Sequence, residues 1–162
     1  ALRVKPDYVC LVPENRMEVT TEGGLDVATD VGKVASVVER LSEVGAVCSI
    51  FIDPEIRQID AAKRAGAKVV ELHTGAYANA WGDSAKTREQ LERLASAAEY
   101  AHSVSMTVNS GHGINYSNIG PLLEAADFNE LNIGHSIICR ALVVGIGQAV
   151  REMKELILKY GK

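Results

Sequence analysis

The sequence has no run of Lys or Arg, no C-x-x-C pair, and no apolar stretch of the ~18 residues that a membrane span needs. The formal net charge is -4, so no positive field is available to attract a nucleic acid or an anionic membrane. A phosphate ligand would have to be held by local backbone groups. Three cysteines, Cys10, Cys48 and Cys139, make an odd set without metal-ligand spacing. They are expected to be free, structural thiols of a reducing cytosol, buried by the habit of free Cys. Nothing in the chain has the clustered spacing of a metal site. The opening residues, Ala1 to Pro6, contain neither an initiator Met nor an apolar signal region. Position 1 is therefore expected not to be the natural start.

What is present is ordinary globular chemistry, with 47% hydrophobic and 23% charged residues over 162 positions. That length suffices for one domain with a core. Short apolar runs alternate five times with helical patterns. The runs are Tyr8 to Val12, Val47 to Ile52, Val69 to His73, Met106 to Asn109 and Leu131 to His135. Between the first two, Val31, Val34, Val38, Leu41 and Val44 have helical spacing, with Thr29 or Asp30 as cap and Gly45 as stop. Asp53-Pro54-Glu55 has the form of an N-cap followed by a first-turn Pro. After a loop containing Trp81, the spacing predicts a long helix over 84–103. It predicts a short one over 121–126 and a last one ending near Leu158, interrupted near Gly145 and Gly147.

Alternating strands and helices mean parallel βαβ units. Five such units fit an open doubly wound sheet or part of an eight-stranded barrel. No G-x-G-x-x-G follows the first strand, which disfavours a dinucleotide site. Glu71, His73, Asn109, His112, Asn132 and His135 all fall at or near the C-terminal ends of the strands, where barrel enzymes carry their chemistry.

Four segments could act on a ligand. In Glu71-Leu72-His73-Thr74-Gly75 the two-residue strand period places Glu71 and His73 on one face. A carboxylate within a parallel strand is costly unless paired or used, so Glu71 is either an acid/base or charge-stabilising group or half of a structural ion pair. In Asn109-Ser110-Gly111-His112-Gly113, two glycines flank an imidazole that can move a proton near neutral pH, or simply shape a loop around a solvated His. In Asn132-Ile133-Gly134-His135-Ser136, a Gly before a helix start exposes N–H groups that suit a phosphate, unless it is a plain helix start. The loop Glu18 to Gly24, rich in Thr and Gly, offers hydroxyls to a polar ligand, though many such loops are only loops.

Taken together, these segments resemble pyridoxine 5′-phosphate synthase. The resemblance rests on Cys10 to Glu14, Glu18 to Val27, Phe51-Ile52-Asp53, Glu71 to Gly75, Asn109 to Gly113 and Glu130 to His135, in that order and spacing. It implies an α/β fold, a TIM (β/α)8 barrel. Residues 1–162 would supply five βα units, strands four to eight, as the C-terminal part of a single barrel domain, with the three N-terminal strands absent. It further implies a cytoplasmic homo-octamer without metal or organic cofactor. Such enzymes condense 1-deoxy-D-xylulose 5-phosphate with 3-amino-2-oxopropyl phosphate to pyridoxine 5′-phosphate, inorganic phosphate and water. On matching positions, Thr20 would contact the deoxyxylulose phosphate and Glu71 would stabilise transition-state charge. His112 would be the proton donor, and Gly113, Gly134 and His135 would bind the aminooxopropyl phosphate. The family's catalytic bases lie in the absent strands, so the isolated chain is expected to be inactive. Rival expectations are a barrel enzyme acting on another sugar phosphate and a non-catalytic phosphate-binding half-barrel.

Overall fold

A computed structural model describes residues 1–13 and 23–161. Five strands, β1 (Tyr8–Leu11), β2 (Val47–Ile52), β3 (Val69–His73), β4 (Thr107–Gly111) and β5 (Glu130–Asn132), form one sheet in the order β1-β2-β3-β4-β5. Every pairing is parallel. The order never reverses, so there is no switch point of the doubly wound kind. Right-handed crossovers that always step the same way put the connecting helices on one face, and the sheet curls as a half-barrel. Of the two architectures open to the sequence, the chain has the barrel-like one.

Side-chain alternation gives the two faces different chemistry. Ile50, Ile52, Val70, Leu72 and Val108 are fully buried in the core shared with the helices. That layer includes Val34, Val38 and Leu41 of α1 (Val31–Glu43), Ile59 and Ala62 of α2 (Ile56–Arg64), and Leu94, Ala97 and Ala101 of α4 (Ser84–Ser103). The opposite face is read from the register. Phe51, Glu71, Asn109 and Glu130 form one row, and His73, Gly111 and Asn132 form the next. The apolar layer holds the sheet, and the polar rows carry the site.

Helix limits follow the capping chemistry. Asp30 caps α1, its side chain accepting from Lys33 N–H at 3.0 Å, and Gly45 past its end has φ 85°. Asp53 is not the cap of α2 that the sequence suggested; Glu55 takes that position, without a side-chain cap bond. The loop before α4 contains a helix that the spacing did not reveal, α3 (Gly75–Ala80). Its six residues are too few to show a period. Strand β4 runs on to Gly111, into what reads as a turn, and β5 stops at Asn132. Helix α5 (Ile119–Ala125) precedes β5, and the last helical region divides at Gly145 into α6 (His135–Val144) and α7 (Ile146–Tyr160). Of the three thiols only Cys48 is buried; Cys10 and Cys139 are exposed. Cys10 stands on the polar inner face, so the expectation of three buried cysteines fails there.

Among the described residues no helix is long and apolar enough to cross a membrane, and no group of three or more His, Cys, Asp or Glu is placed to hold a metal.

Candidate functional site

Glu71 lies mid-strand in β3 and is 7% exposed, and among the described residues it makes no salt bridge to a Lys or Arg. Asn132, the last residue of β5, donates Nδ2–H to its Oε2 at 2.7 Å, and the Cys10 thiol donates to the same oxygen at 3.5 Å. Burial pushes the Glu71 carboxyl above the usual carboxylate range, and these two donors offset only part of that rise. Space for the carboxylate comes from Gly111, since a Cβ there would overlap Glu71 Oε1. Beside Glu71 in the same row, Asn109 donates to Glu130 Oε2 at 3.2 Å and accepts from Asn129 at 3.2 Å.

Just beyond β4, the chain makes two successive left-handed residues, His112 at φ 80° and Gly113 at φ 79°. A non-glycine residue there is uncommon and is held only where its surroundings demand it. Thr74, fully buried, supplies that demand. Its hydroxyl is placed to donate to Gly111 O at 2.8 Å and His112 O at 2.6 Å, while its N–H donates to Gly111 O at 2.9 Å. Gly113 has a second constraint, because a Cβ there would overlap Ala78 Cβ on α3. Asn118 then fixes the loop, donating to Gly113 O at 3.1 Å and accepting from Asn115 N–H at 2.7 Å.

The His112 ring is exposed and stands edge-on to His73, ring centres 5.1 Å apart. Partial burial, and then the charge of His73, lower its proton affinity below that of an ordinary histidine. His73 does not bond to Glu71; its Nδ1 pairs with Asp53 Oδ1 at 3.0 Å. The same Asp53 oxygen accepts Gly24 N–H at 3.2 Å.

The start of α6 completes the site. Gly134 occupies its N-cap, and no side chain caps the first turn. Its amide groups are the kind that bind anions. Ser136 donates to Ile114 O at 2.8 Å, tying this helix start to the loop after β4. A cleft of about 550 Å³ results, lined by Glu71, His112, Gly113, Asn132, Gly134 and His135 among others. That is within the usual size of small-molecule sites. Among the described residues no Lys or Arg lines it.

Five of the six positions singled out in the sequence thus meet at one cleft. The sixth, Thr20, lies outside the described residues. Two contributors were missed. Thr74 and Asp53 appeared in the quoted segments, but nothing in local spacing shows that one clamps a loop 38 residues away and the other holds a histidine 20 residues on.

The family model described as "Pyridoxal phosphate biosynthesis protein PdxJ" matches residues 1–159. A protein of Coxiella burnetii named pyridoxine 5′-phosphate synthase is 54% identical over 157 residues, covering 97% of this chain and 65% of its own length. Proteins of the same name from Pseudoalteromonas translucida and Akkermansia muciniphila are 51% and 52% identical. They cover 98% and 97% of this chain and 65% and 63% of their own lengths. The chain therefore spans a little under two thirds of the curated relatives it matches. With a match from residue 1 to residue 159 and half of the aligned positions identical, the chain belongs to the PdxJ family of pyridoxal phosphate biosynthesis proteins.

Proposed function

We propose that the chain is the C-terminal part, strands four to eight, of an eight-stranded pyridoxine 5′-phosphate synthase barrel. The complete enzyme condenses 1-deoxy-D-xylulose 5-phosphate with 3-amino-2-oxopropyl phosphate and releases pyridoxine 5′-phosphate, inorganic phosphate and water. The observation that carries this reading is the meeting of a buried carboxylate, a strained exposed imidazole and an uncapped helix start in one cleft. Family membership supports phosphorylated small-molecule substrates, and the make-up of the cleft supports the residue roles that follow.

Gly113, Gly134 and His135 hold the phosphate of the aminooxopropyl substrate. Support comes from Gly134, where a side chain would meet no protein atom within 4 Å. Protein packing does not require glycine there, whereas close approach of a ligand to the α6 amides does. His112 is the proton donor. The bond-breaking steps expel water and phosphate, and an imidazolium at the cleft mouth protonates the departing oxygen and leaves as neutral imidazole. Its lowered proton affinity makes it a stronger acid than a free histidine. Glu71, oriented by Asn132, stabilises the positive charge that develops on nitrogen as an amine condenses with a carbonyl. Thr20 contacts the deoxyxylulose phosphate. No cofactor is required by this chemistry, and the complete enzyme is taken to be a cytoplasmic homo-octamer like its family.

A substrate panel tests this reading. The chain is assayed alone and co-expressed with the part of a relative's sequence that it does not span. Product from the two named phosphates, and none when another sugar phosphate replaces deoxyxylulose phosphate, is the expected result. Turnover of a different sugar phosphate, or phosphate binding without any turnover in the folded complex, would overturn it.

A further inference from the structure

His73 is buried, 7% exposed, yet its ring has a polar atom that bonds to nothing. Asp53 Oδ1, an acceptor, lies 3.0 Å from Nδ1 and so fixes the ring proton there in the neutral imidazole. Nε2 is then a bare acceptor, without a hydrogen-bond partner. A buried acceptor left unpaired is costly, so its presence calls for a use. Two observations say where it faces. A Cβ on Gly75 would overlap Nε2 and would also lie 3.1 Å from His112 Cδ2, which sets the two imidazoles side by side over the same glycine. Their planes meet at 64°. On its other side, the His73 ring rests against Phe51, centres 5.1 Å apart.

Asp53 is itself anchored, because the same oxygen accepts Gly24 N–H. Carboxylate, first imidazole and second imidazole thus stand in series along the ends of β2, β3 and β4. Among the described residues the His112 ring has no hydrogen-bond partner, and its backbone is in the left-handed region, so a neighbour that sets the ring's direction matters.

We propose that His73, braced by Asp53, is a positioning residue for His112, fixing how the proton-donor ring stands in the cleft. The assignment rests on the reading of His112 as the proton donor. His73 touches no reacting atom; it acts through the ring beside it. The pair is coupled as well, since a proton gained by His73 repels one on His112. Among the described residues, the other titratable and charged groups around His112 are Glu71 and His135 in the main cleft, and Asp53 and Arg93 in the adjoining polar cleft. Arg93 is engaged by Glu55 at 3.0 Å. All of these stay in place when His73 alone is changed.

The test has one arm that needs no turnover. The chain contains four histidines, so ring-nitrogen NMR can resolve each of them. The expected spectrum has His73 protonated on Nδ1 and bare on Nε2, and His73→Gln moves the His112 titration to higher pH. Asp53→Asn keeps the His73 side chain but removes the acceptor at its Nδ1, so the His73 tautomer becomes mixed and the His112 titration shifts; it serves if His73→Gln does not fold. In the second arm, the complete enzyme carrying His73→Gln loses about 10-fold in kcat, a part of what a general acid contributes. Its KM values stay within about twofold, and the alkaline limb of kcat moves with the NMR titration. An unchanged His112 titration in both variants, or a His73 protonated on Nε2, overturns the proposal. If wild type makes no product, the functional reading fails while the NMR arm still decides this one.

Discussion

Gly111 leaves room for Glu71: the carboxylate of one strand occupies the place where the next strand would carry a side chain, and from there it reaches Asn132. Gly111→Ala is therefore expected to push the carboxylate off Asn132. The backbone at Gly111 is not left-handed, so alanine brings no conformational strain. The atom it strikes is the end of a side chain that can move. Thermal unfolding should show a loss of about 1 kcal/mol, in the ordinary range of single substitutions. Turnover should fall far more than stability does. A variant that keeps full activity would show that the Glu71–Asn132 contact is dispensable.

Glu71→Gln is expected to separate stability from function. The folded-state pKa of Glu71 is raised by burial, so the native state holds the proton more tightly than the unfolded chain. Its contribution is most favourable below the unfolded pKa and is lost as pH rises through the folded one. At pH 7 glutamine removes that burden and should raise Tm. The gain should vanish in acid, where Glu71 is protonated in both states. Activity should fall at every pH, and melting curves across the pH range check the sign.

At Gly134 the expectation is the reverse of that at Gly111. A Cβ there meets no protein atom, so Gly134→Ala should leave stability within about 0.5 kcal/mol. It should still weaken inorganic phosphate binding, because the added methyl stands before the first turn of α6. Calorimetric titration with phosphate reads the effect. Unchanged affinity would move the phosphate site elsewhere.

Thr74→Val keeps the shape of the side chain and deletes its hydroxyl. The His112 carbonyl then loses the donor at 2.6 Å, and the left-handed turn loses its clamp. A cost of about 1–3 kcal/mol is expected from the carbonyl left unpaired. Turnover should fall with it, because His112 is no longer held. Hydrogen exchange at Gly113 and Ile114 would report the loosening directly.

The strands were legible because their apolar runs are short and bounded, and the parallel sheet followed from the alternation of strand and helix, whereas the barrel-like order was implied only by the family resemblance. Glu71 stood out as a carboxylate inside an apolar strand, and His112, Gly113, Gly134 and His135 because they lie just past strand ends, where a period-two pattern breaks into polar residues and glycine. Helix α3 was not, being shorter than two turns. Asp53 was misread as a cap because its sequence, Asp before Pro, satisfies the local rule, while its actual partners, Gly24 and His73, come from distant segments. Cys10 was taken for a core thiol because its neighbours are apolar; only the register with Ser49 shows that it faces inward, toward Glu71. Pairings across strands are tertiary facts, and no window of sequence contains them.

The most direct test of the whole account is mass-spectrometric detection of pyridoxine 5′-phosphate from both phosphate substrates, with wild type and His112→Asn compared in the complete barrel. Wild type should form the product, and the variant should be slower by about 100- to 10,000-fold while still binding inorganic phosphate. Equal rates in the two proteins, or no product from a folded wild-type barrel, would contradict it.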